Sequence, residues 1–165
     1  MKIGFIGVGN LGEKAVRKLS KNHDLYLSDP IKKEELEKIS NGYFSLEETI
    51  NSCEVIFFTI KPNMLEELFL DKDLNLKDKT FISFMAGLSL NKIKELIKKD
   101  TLLIRGMPTV GIGTGDSAIA LSANFSISEE IKNMLSELGS IVEMDEEHFD
   151  AFTAIIGAGP AYFAL

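Results

Sequence analysis

The sequence contains a single cysteine, Cys53, which excludes an internal disulfide and any metal site built from several cysteines. Basic residues are outnumbered, with 18 lysines and arginines against 25 acidic residues and a formal net charge of −7, which argues against a nucleic-acid-binding surface. No signal peptide or membrane-spanning run is recognisable, because the apolar amino terminus is one strand long and is interrupted by glycine. We therefore expect a cytoplasmic protein without metal, nucleic-acid or membrane partners.

What the sequence does contain is a strand followed by a glycine-rich turn at its start. Residues 2–7 form a short apolar run, and residues 7–12 read Gly-Val-Gly-Asn-Leu-Gly, a G-x-G-x-x-G placed where a helix should begin. In this pattern Gly7 permits the tight turn, Gly9 lets a pyrophosphate approach the backbone, and Gly12 lets the helix pack closely on the strand. The positive end of the helix then forms an anion site.

The second predicted strand supports this interpretation. It covers residues 25–28 and ends at Asp29, 20 residues after Gly9, where a carboxylate would accept hydrogen bonds from ribose hydroxyls. The same carboxylate would repel a 2′-phosphate, although Lys32 and Lys33 could partly compensate, so we expect NADH to be preferred over NADPH. The alternative is an ordinary glycine turn in an α/β domain that binds no nucleotide.

The remaining chain alternates short apolar runs with amphipathic ones. Residues 54–60 are continuously apolar enough for a central parallel strand, and S-x-x-E spacings at 45–48 and 126–129 predict capping boxes at two helix starts. We expect a short exposed helix over 31–40 and a brief strand over 42–44. This rhythm predicts an α/β fold: a doubly wound, mostly parallel, Rossmann-type sheet with helices on both faces.

The domain organisation predicted from the sequence has one unusual feature at the carboxyl end. Residues 1–156 form the dinucleotide-binding domain, with a last helix over 146–156. Residues 157–165 then combine a glycine-proline break with five apolar residues, which is typical of a chain entering a further helix. We interpret them as the start of a helical dimerisation domain that is otherwise absent.

Ligands of such sheets bind beyond the carboxyl ends of the strands, and this places the candidate site. Lys61 is the only cation in the candidate set, and its partner is a phosphate, a substrate carboxylate or solvent. Pro62 fixes the turn that follows. The candidate residues share a position at or just after a strand end: Gly7, Gly9, Asn10, Leu11, Gly12, Asp29, Thr59, Lys61, Pro62, Ala86, Gly87, Met107, Pro108 and Thr109.

Over nearly its whole length the chain resembles pyrroline-5-carboxylate reductase. The matching stretches are residues 3–11, 61–62, 82–90, 104–108 and 154–162. The last of them, with Gly-Ala-Gly-Pro-Ala-Tyr at 157–162, is the most specific, because this family enters its carboxy-terminal helical domain through a Gly-x-Gly-Pro-Ala-Tyr sequence.

The resemblance implies hydride transfer from NAD(P)H to the C=N bond of 1-pyrroline-5-carboxylate, which gives proline. It also implies cofactor contacts from most of the candidate set, with Gly12 and Asp29 added by the glycine motif. The family is homo-oligomeric, and its dimer-forming, substrate-holding helices are absent from this sequence. We therefore expect the 165-residue chain to bind cofactor, to associate weakly and to be inactive alone.

Two further implications concern the substrate and the chemistry. The family usually has Met-Pro-Asn-Thr-Pro beside the nicotinamide, whereas Thr109 follows Met107 and Pro108 here, so Thr109 and Lys61 are the candidate substrate contacts. A protonated cyclic imine accepts hydride without a strong acid, and we assign no catalytic residue; His23 and His148 are both expected on the surface.

Three functions stay open from the sequence. The first is the imine reductase of proline biosynthesis or its cofactor-binding domain. The second is another NAD(P)-dependent oxidoreductase, of the β-hydroxyacid dehydrogenase or deazaflavin-linked type, against which the block at 157–162 argues. The third is a non-catalytic NADH-binding module.

Overall fold

The computed structural model describes residues 1–157, and seven strands form one sheet at its centre. The strands are β1 (Lys2–Ile6), β2 (Asp24–Ser28), β3 (Val55–Phe58), β4 (Thr80–Ser83), β5 (Leu102–Pro108), β6 (Ser117–Ala123) and β7 (Gly139–Glu143). Their order across the sheet is β2-β1-β3-β4-β5-β6-β7. Neighbouring strands are parallel except β5 and β6, which are antiparallel. The predicted mostly parallel Rossmann-type sheet is confirmed.

Seven α-helical segments connect or follow the strands. They are α1 (Asn10–Leu19), α2 (Glu34–Glu37), α3 (Leu46–Ser52), α4 (Leu65–Phe69), α5 (Leu90–Ile97), α6 (Glu129–Ser136) and α7 (Phe149–Phe152). Three 3-10 turns (Pro62–Met64, Val110–Gly113 and Glu146–His148) and a π-helical turn (Thr153–Gly157) complete the described part of the chain.

Helices cover both faces of the sheet, as the sequence predicts. All four residues of β3 are buried, and they alternate between the two faces. Phe57 faces the layer of α1 and α6 and stacks on Phe5 with ring centroids 4.9 Å apart. Phe58 faces the layer of α3, α4 and α5 and stacks on Phe81 at 5.1 Å. Burial on both faces explains why this strand is continuously apolar.

The helix starts were predicted with mixed success. At α3 the capping box is confirmed: the Ser45 hydroxyl accepts from the Glu48 N–H, and the Glu48 carboxylate accepts from the Ser45 N–H. The predicted box at 126–129 is wrong. Helix α6 begins two residues later than that spacing requires, and Ser128 caps it by accepting from the Ile131 N–H.

Three weaker elements also differ from the predictions. The exposed helix expected over 31–40 is only the four-residue α2, and the strand expected over 42–44 is a single bridge between Leu27 and Tyr43. The segment from 110 to 116, in which three glycines disfavour regular structure, contains the 3-10 turn Val110–Gly113. Few apolar side chains in these segments reach the core, so burial does not extend the local structure.

At the carboxyl end, the helix expected over 146–156 is divided into a 3-10 turn, the short α7 and a π-helical turn. The predicted start of a further helix falls on residues outside the described part of the chain. Among the described residues, no helix combines the length and apolar composition needed to cross a membrane.

Cys53 has the buried, apolar environment expected for it, with 1% of its surface exposed. Burial raises the pKa of its thiol to about 12. Because the thiolate is the reactive form, we expect the native protein to resist a disulfide reagent at about pH 8 and to react fully once unfolded in denaturant. Fast, stoichiometric labelling of the native protein would contradict this placement.

Candidate dinucleotide-binding site

The glycine turn after β1 adopts a backbone that only glycine accommodates easily. Gly7 has φ +90° and donates its N–H to the Ser28 carbonyl at 2.8 Å. A Cβ at this position would lie 2.6 Å from the Ile60 Cγ2 atom. Gly7 therefore allows the tight turn predicted from the sequence, and it brings the ends of β1, β2 and β3 together.

Gly12 is required because α1 approaches the strand ends closely. A Cβ there would lie 2.6 Å from the Gly7 carbonyl oxygen and 2.7 Å from the Thr59 hydroxyl. The Thr59 hydroxyl donates to that same carbonyl at 2.5 Å and fixes the turn from the β3 side. This positioning contact of Thr59 was not predicted from the sequence.

Gly9 has a different environment from the other two glycines. No heavy atom lies within 4 Å of a Cβ built at Gly9, and the residue is exposed. It is the N-cap residue of α1, and no side chain caps the helix there. The first N–H groups of α1 thus face an open space, which is the arrangement that binds a pyrophosphate in this fold.

Asp29 ties the end of β2 to the glycine turn. Its Oδ2 atom accepts from the Val8 N–H at 2.7 Å, and its Oδ1 atom accepts from the Ile31 N–H at 2.8 Å. The sequence placed this carboxylate at the ribose position but did not predict that it would also hold the turn.

Lys33 lies beside the same turn, and its ammonium already has partners. It donates to the Val8 carbonyl at 3.1 Å and to the Glu13 carboxylate at 2.6 Å. The Lys33 ammonium, and then the Arg17 guanidinium, hold the pKa of Glu13 below its ordinary value. Lys33 was expected to compensate for the charge of Asp29, and the ion pair with Glu13 weakens that expectation.

A cleft of about 480 Å³ lies at the carboxyl ends of the neighbouring strands β1 and β3. From this point the chain continues from β1 to β2 on one side of the sheet and from β3 to β4 on the other. Much of the wall of the cleft is apolar, as in most nucleotide and ligand pockets. Five of the predicted residues are in its lining: Gly7, Gly9, Asp29, Thr59 and Lys61. The rest of the lining was not predicted: Ile6, Ser28, Pro30, Ile31, Phe44, Ile60, Met64 and Leu68. Ile31 and Met64 are large apolar side chains that are 69% and 37% exposed. Neither residue belongs to an amphipathic repeat, so apolar periodicity does not mark them as part of a cleft.

Other predicted residues lie along the same edge of the sheet without lining this cleft. Ala86 and Gly87 form an exposed turn after β4, where Gly87 has φ +74°. Met107 and Pro108 end β5, the next strand. Asn10, Leu11 and Pro62 flank the cleft at the starts of α1 and of the 3-10 turn after β3.

The two candidate substrate residues have different surroundings. Lys61 is exposed at the cleft, directly before Pro62. The Thr109 hydroxyl accepts from the Ala118 N–H at 3.2 Å and lies 3.2 Å from the Ser117 hydroxyl. Thr109 therefore joins β5 to the start of β6.

The expectation that His23 is a surface residue is wrong. Its side chain is 12% exposed, and its Nε2 atom lies 2.8 Å from a Glu137 carboxylate oxygen, which links the turn before β2 to the end of α6. The Nδ1 atom of His23 lies 3.4 Å from the amino-terminal nitrogen. This contact is at the amino ends of the strands, at the opposite edge of the sheet from the cleft. His148 is 63% exposed, as expected.

A mostly parallel sheet with a glycine turn, an uncapped helix N-terminus and a cleft at the strand switch point defines the chain as a Rossmann-type domain. The chain belongs to the family described as NADP oxidoreductase, coenzyme F420-dependent, which matches residues 2–87. The resemblance to pyrroline-5-carboxylate reductase is also confirmed. The enzyme of Staphylococcus haemolyticus is 32% identical, an alignment that covers 98% of this chain and 65% of that protein.

Two solved structures show the same relationship. The pyrroline carboxylate reductase of Plasmodium falciparum, with NADP bound, has a TM-score of 0.86 and 25% identity over 99% of this chain and 65% of its own. The 1-pyrroline-5-carboxylate reductase of Streptococcus pyogenes has a TM-score of 0.84 and 30% identity over 99% of this chain and 66% of its own. The chain thus spans about two thirds of the length of these relatives.

Proposed function

We propose that this chain is the cofactor-binding part of an oxidoreductase that transfers hydride from NAD(P)H to the C=N bond of 1-pyrroline-5-carboxylate and so forms proline. The observation that carries the proposal is the cleft at the switch point, with Gly9 open beneath it. The similarity to pyrroline-5-carboxylate reductases over 98% of the chain supplies the substrate class.

The described residues have separate tasks in this proposal. The N–H groups at the start of α1 would bind the pyrophosphate, while Ile31, Ile60 and Met64 in the cleft would contact the adenine ring and exclude water. Residues 86–87 and 107–108 lie where the nicotinamide would extend along the sheet edge. The bound dinucleotide supplies the hydride, and the protein orients it.

The partners of Lys61 and Thr109 differ in this scheme. Lys61 shares the cleft with Gly7 and Gly9, so a cofactor phosphate is a better partner for its ammonium than a substrate carboxylate. Thr109 already donates or accepts within the β5–β6 connection, so its effect on the substrate would come from the shape of that connection.

We also propose that NADH is preferred over NADPH, and replacing Asp29 with serine tests this. The wild-type chain is expected to bind NADH about tenfold more tightly, or about 1.4 kcal/mol, because the carboxylate repels a 2′-phosphate. In Asp29→Ser the preference should disappear. Asp24→Ser, an exposed position at the other end of β2, is the matched control. Calorimetric titration at moderate salt that showed equal or tighter NADPH binding by the wild type would contradict the proposal.

A second candidate function follows from the family description. Residues 2–87 match a family named for coenzyme F420, so hydride exchange between a deazaflavin and NADP is the alternative. It is less favoured because the similarity to pyrroline-5-carboxylate reductases continues well beyond residue 87.

An assay with several hydride acceptors distinguishes these functions. Oxidation of NAD(P)H is followed with 1-pyrroline-5-carboxylate, with a β-keto acid and with oxidised coenzyme F420. The proposal predicts that the imine gives the highest kcat/KM. A preference for either other acceptor would replace it, and dinucleotide binding without turnover of any acceptor, even with the helical part of a relative supplied, would indicate a non-catalytic module.

A further inference from the structure

Arg105 is a buried charged residue on a strand whose other residues are all uncharged. It lies in β5, only 4% exposed, two residues before Met107. Because a cation is costly to bury without partners, its surroundings should explain its presence.

The partners of Arg105 all come from one segment, residues 146–150. Its Nη1 atom donates to the Glu146 carboxylate at 3.2 Å, and its Nη2 atom lies 3.5 Å from Asp150 Oδ1. The guanidinium carbon stands 4.6 Å from the centroid of the Phe149 ring. One side chain thus fixes the start and the middle of this segment against β5.

Two of these partners also contact the elements that carry predicted cofactor residues. The Glu146 oxygen that pairs with Arg105 also accepts from the N–H of Leu90 at 2.7 Å, and α5 begins there, three residues after Gly87. Phe149 is fully buried against Met107 and Ala120. Arg105 therefore connects the turn after β4 with the end of β5 through residues 146–150.

Stability alone does not explain this arrangement. The Nε atom of Arg105 is buried without a hydrogen-bond partner among residues 1–157, and an unpaired donor is unfavourable. The Asp150 side chain is 93% exposed and the Glu146 side chain 28%, so both acids can be hydrated without Arg105. Because both acids can be hydrated, an apolar side chain of similar length in place of Arg105 should not leave a fully buried, unpaired charge, which is the costly consequence of breaking a buried ion pair.

We propose that Arg105 is a positioning residue for the nicotinamide end of the dinucleotide site, acting through Glu146 and Phe149 on the spacing between residues 86–87 and Met107. This rests on the proposed function, because it assumes that a dinucleotide lies along this edge of the sheet. Arg105 itself does not contact the glycine turn or the cleft.

The test compares two ligands that differ only in the nicotinamide end. NADPH and 2′-phospho-ADP-ribose, or NADH and ADP-ribose, are titrated into the full 165-residue chain and into Arg105→Met. Affinity for the complete dinucleotide is expected to fall about tenfold, while affinity for the nicotinamide-free fragment stays within about twofold. Arg105→Lys, which keeps the charge but not the planar fork, should give an intermediate loss and serves if the methionine variant does not fold. Lys94→Met is the matched control and should change neither affinity. It removes an ion pair between Lys94 on α5 and Asp100, which lies beyond the end of that helix.

The outcomes separate the inference from the proposal beneath it. An equal loss for both ligands, or no loss for either, would assign Arg105 a purely structural role and overturn the inference. If the wild-type chain bound neither ligand, the proposed function would fail first and the inference with it.

Discussion

Replacing Gly9 with aspartate is expected to abolish dinucleotide binding while leaving the fold intact. Gly9 is an N-cap residue with an extended backbone, φ −66° and ψ −165°, which suits aspartate, and no atom obstructs a side chain there. The new carboxylate would occupy the anion site at the start of α1 and repel the pyrophosphate. We expect the affinity for NADPH or NADH to fall roughly 100-fold or more, equivalent to at least about 2.8 kcal/mol.

Two companion variants separate charge, bulk and folding in that experiment. Gly9→Asn has nearly the same shape without the charge, so it should lose less affinity. Gly12→Ala should instead lower the free energy of unfolding, because its Cβ would meet the Gly7 carbonyl oxygen. Chemical denaturation measures the free energy of unfolding of each variant, and calorimetric titration measures its affinity for NADPH or NADH. Unchanged binding by Gly9→Asp at unchanged stability would show that the ligand does not use the start of α1.

Turnover by a polypeptide of these 165 residues is expected to be negligible even when dinucleotide binding is normal. Holding the reactants in near-attack geometry can account for ~7–11 kcal/mol of a barrier, and in the proposed scheme the described residues contribute to a substrate site only through the Thr109 connection. We expect the rate of NAD(P)H oxidation with 1-pyrroline-5-carboxylate to lie several orders of magnitude below that of a chimera that adds the remaining part of the Staphylococcus haemolyticus relative.

The comparison is informative only if both proteins bind the cofactor, so NADPH affinity is measured on each before the assay. Light scattering on both proteins tests the accompanying expectation that the shorter one associates weakly. Comparable turnover by the two proteins would place the substrate pocket within the described residues, beside Met107, Pro108 and Thr109.

Much of the sheet could be predicted because burial leaves a clear pattern. A strand covered on both faces, such as β3, is apolar throughout, and the short length and aromatic content of this run favour a strand over a buried helix. The glycine turn was predictable for a related reason. Side chains at Gly7 and Gly12 would collide with neighbouring atoms, whereas Gly9 keeps the start of α1 open, and the G-x-G-x-x-G spacing reflects these separate requirements.

Other features depend on contacts between distant residues and left no local signal. The antiparallel pairing of β5 with β6 is set by the short connection through Thr109, and strand direction is not encoded in apolar periodicity. The partly buried position of His23 depends on its contact with Glu137, more than a hundred residues away in the chain. The apolar wall of the cleft is likewise assembled from segments that are distant in the sequence, among them those of Ile31 and Met64.

The most direct test of the central claim is a calorimetric titration of the 165-residue chain with NADH and NADPH, repeated with Gly9→Asp. The proposed dinucleotide site predicts saturable binding of one dinucleotide per chain by the wild type and no measurable binding by the variant, at equal stability. Absence of binding by a folded wild-type chain, or equal binding by both proteins, would contradict it.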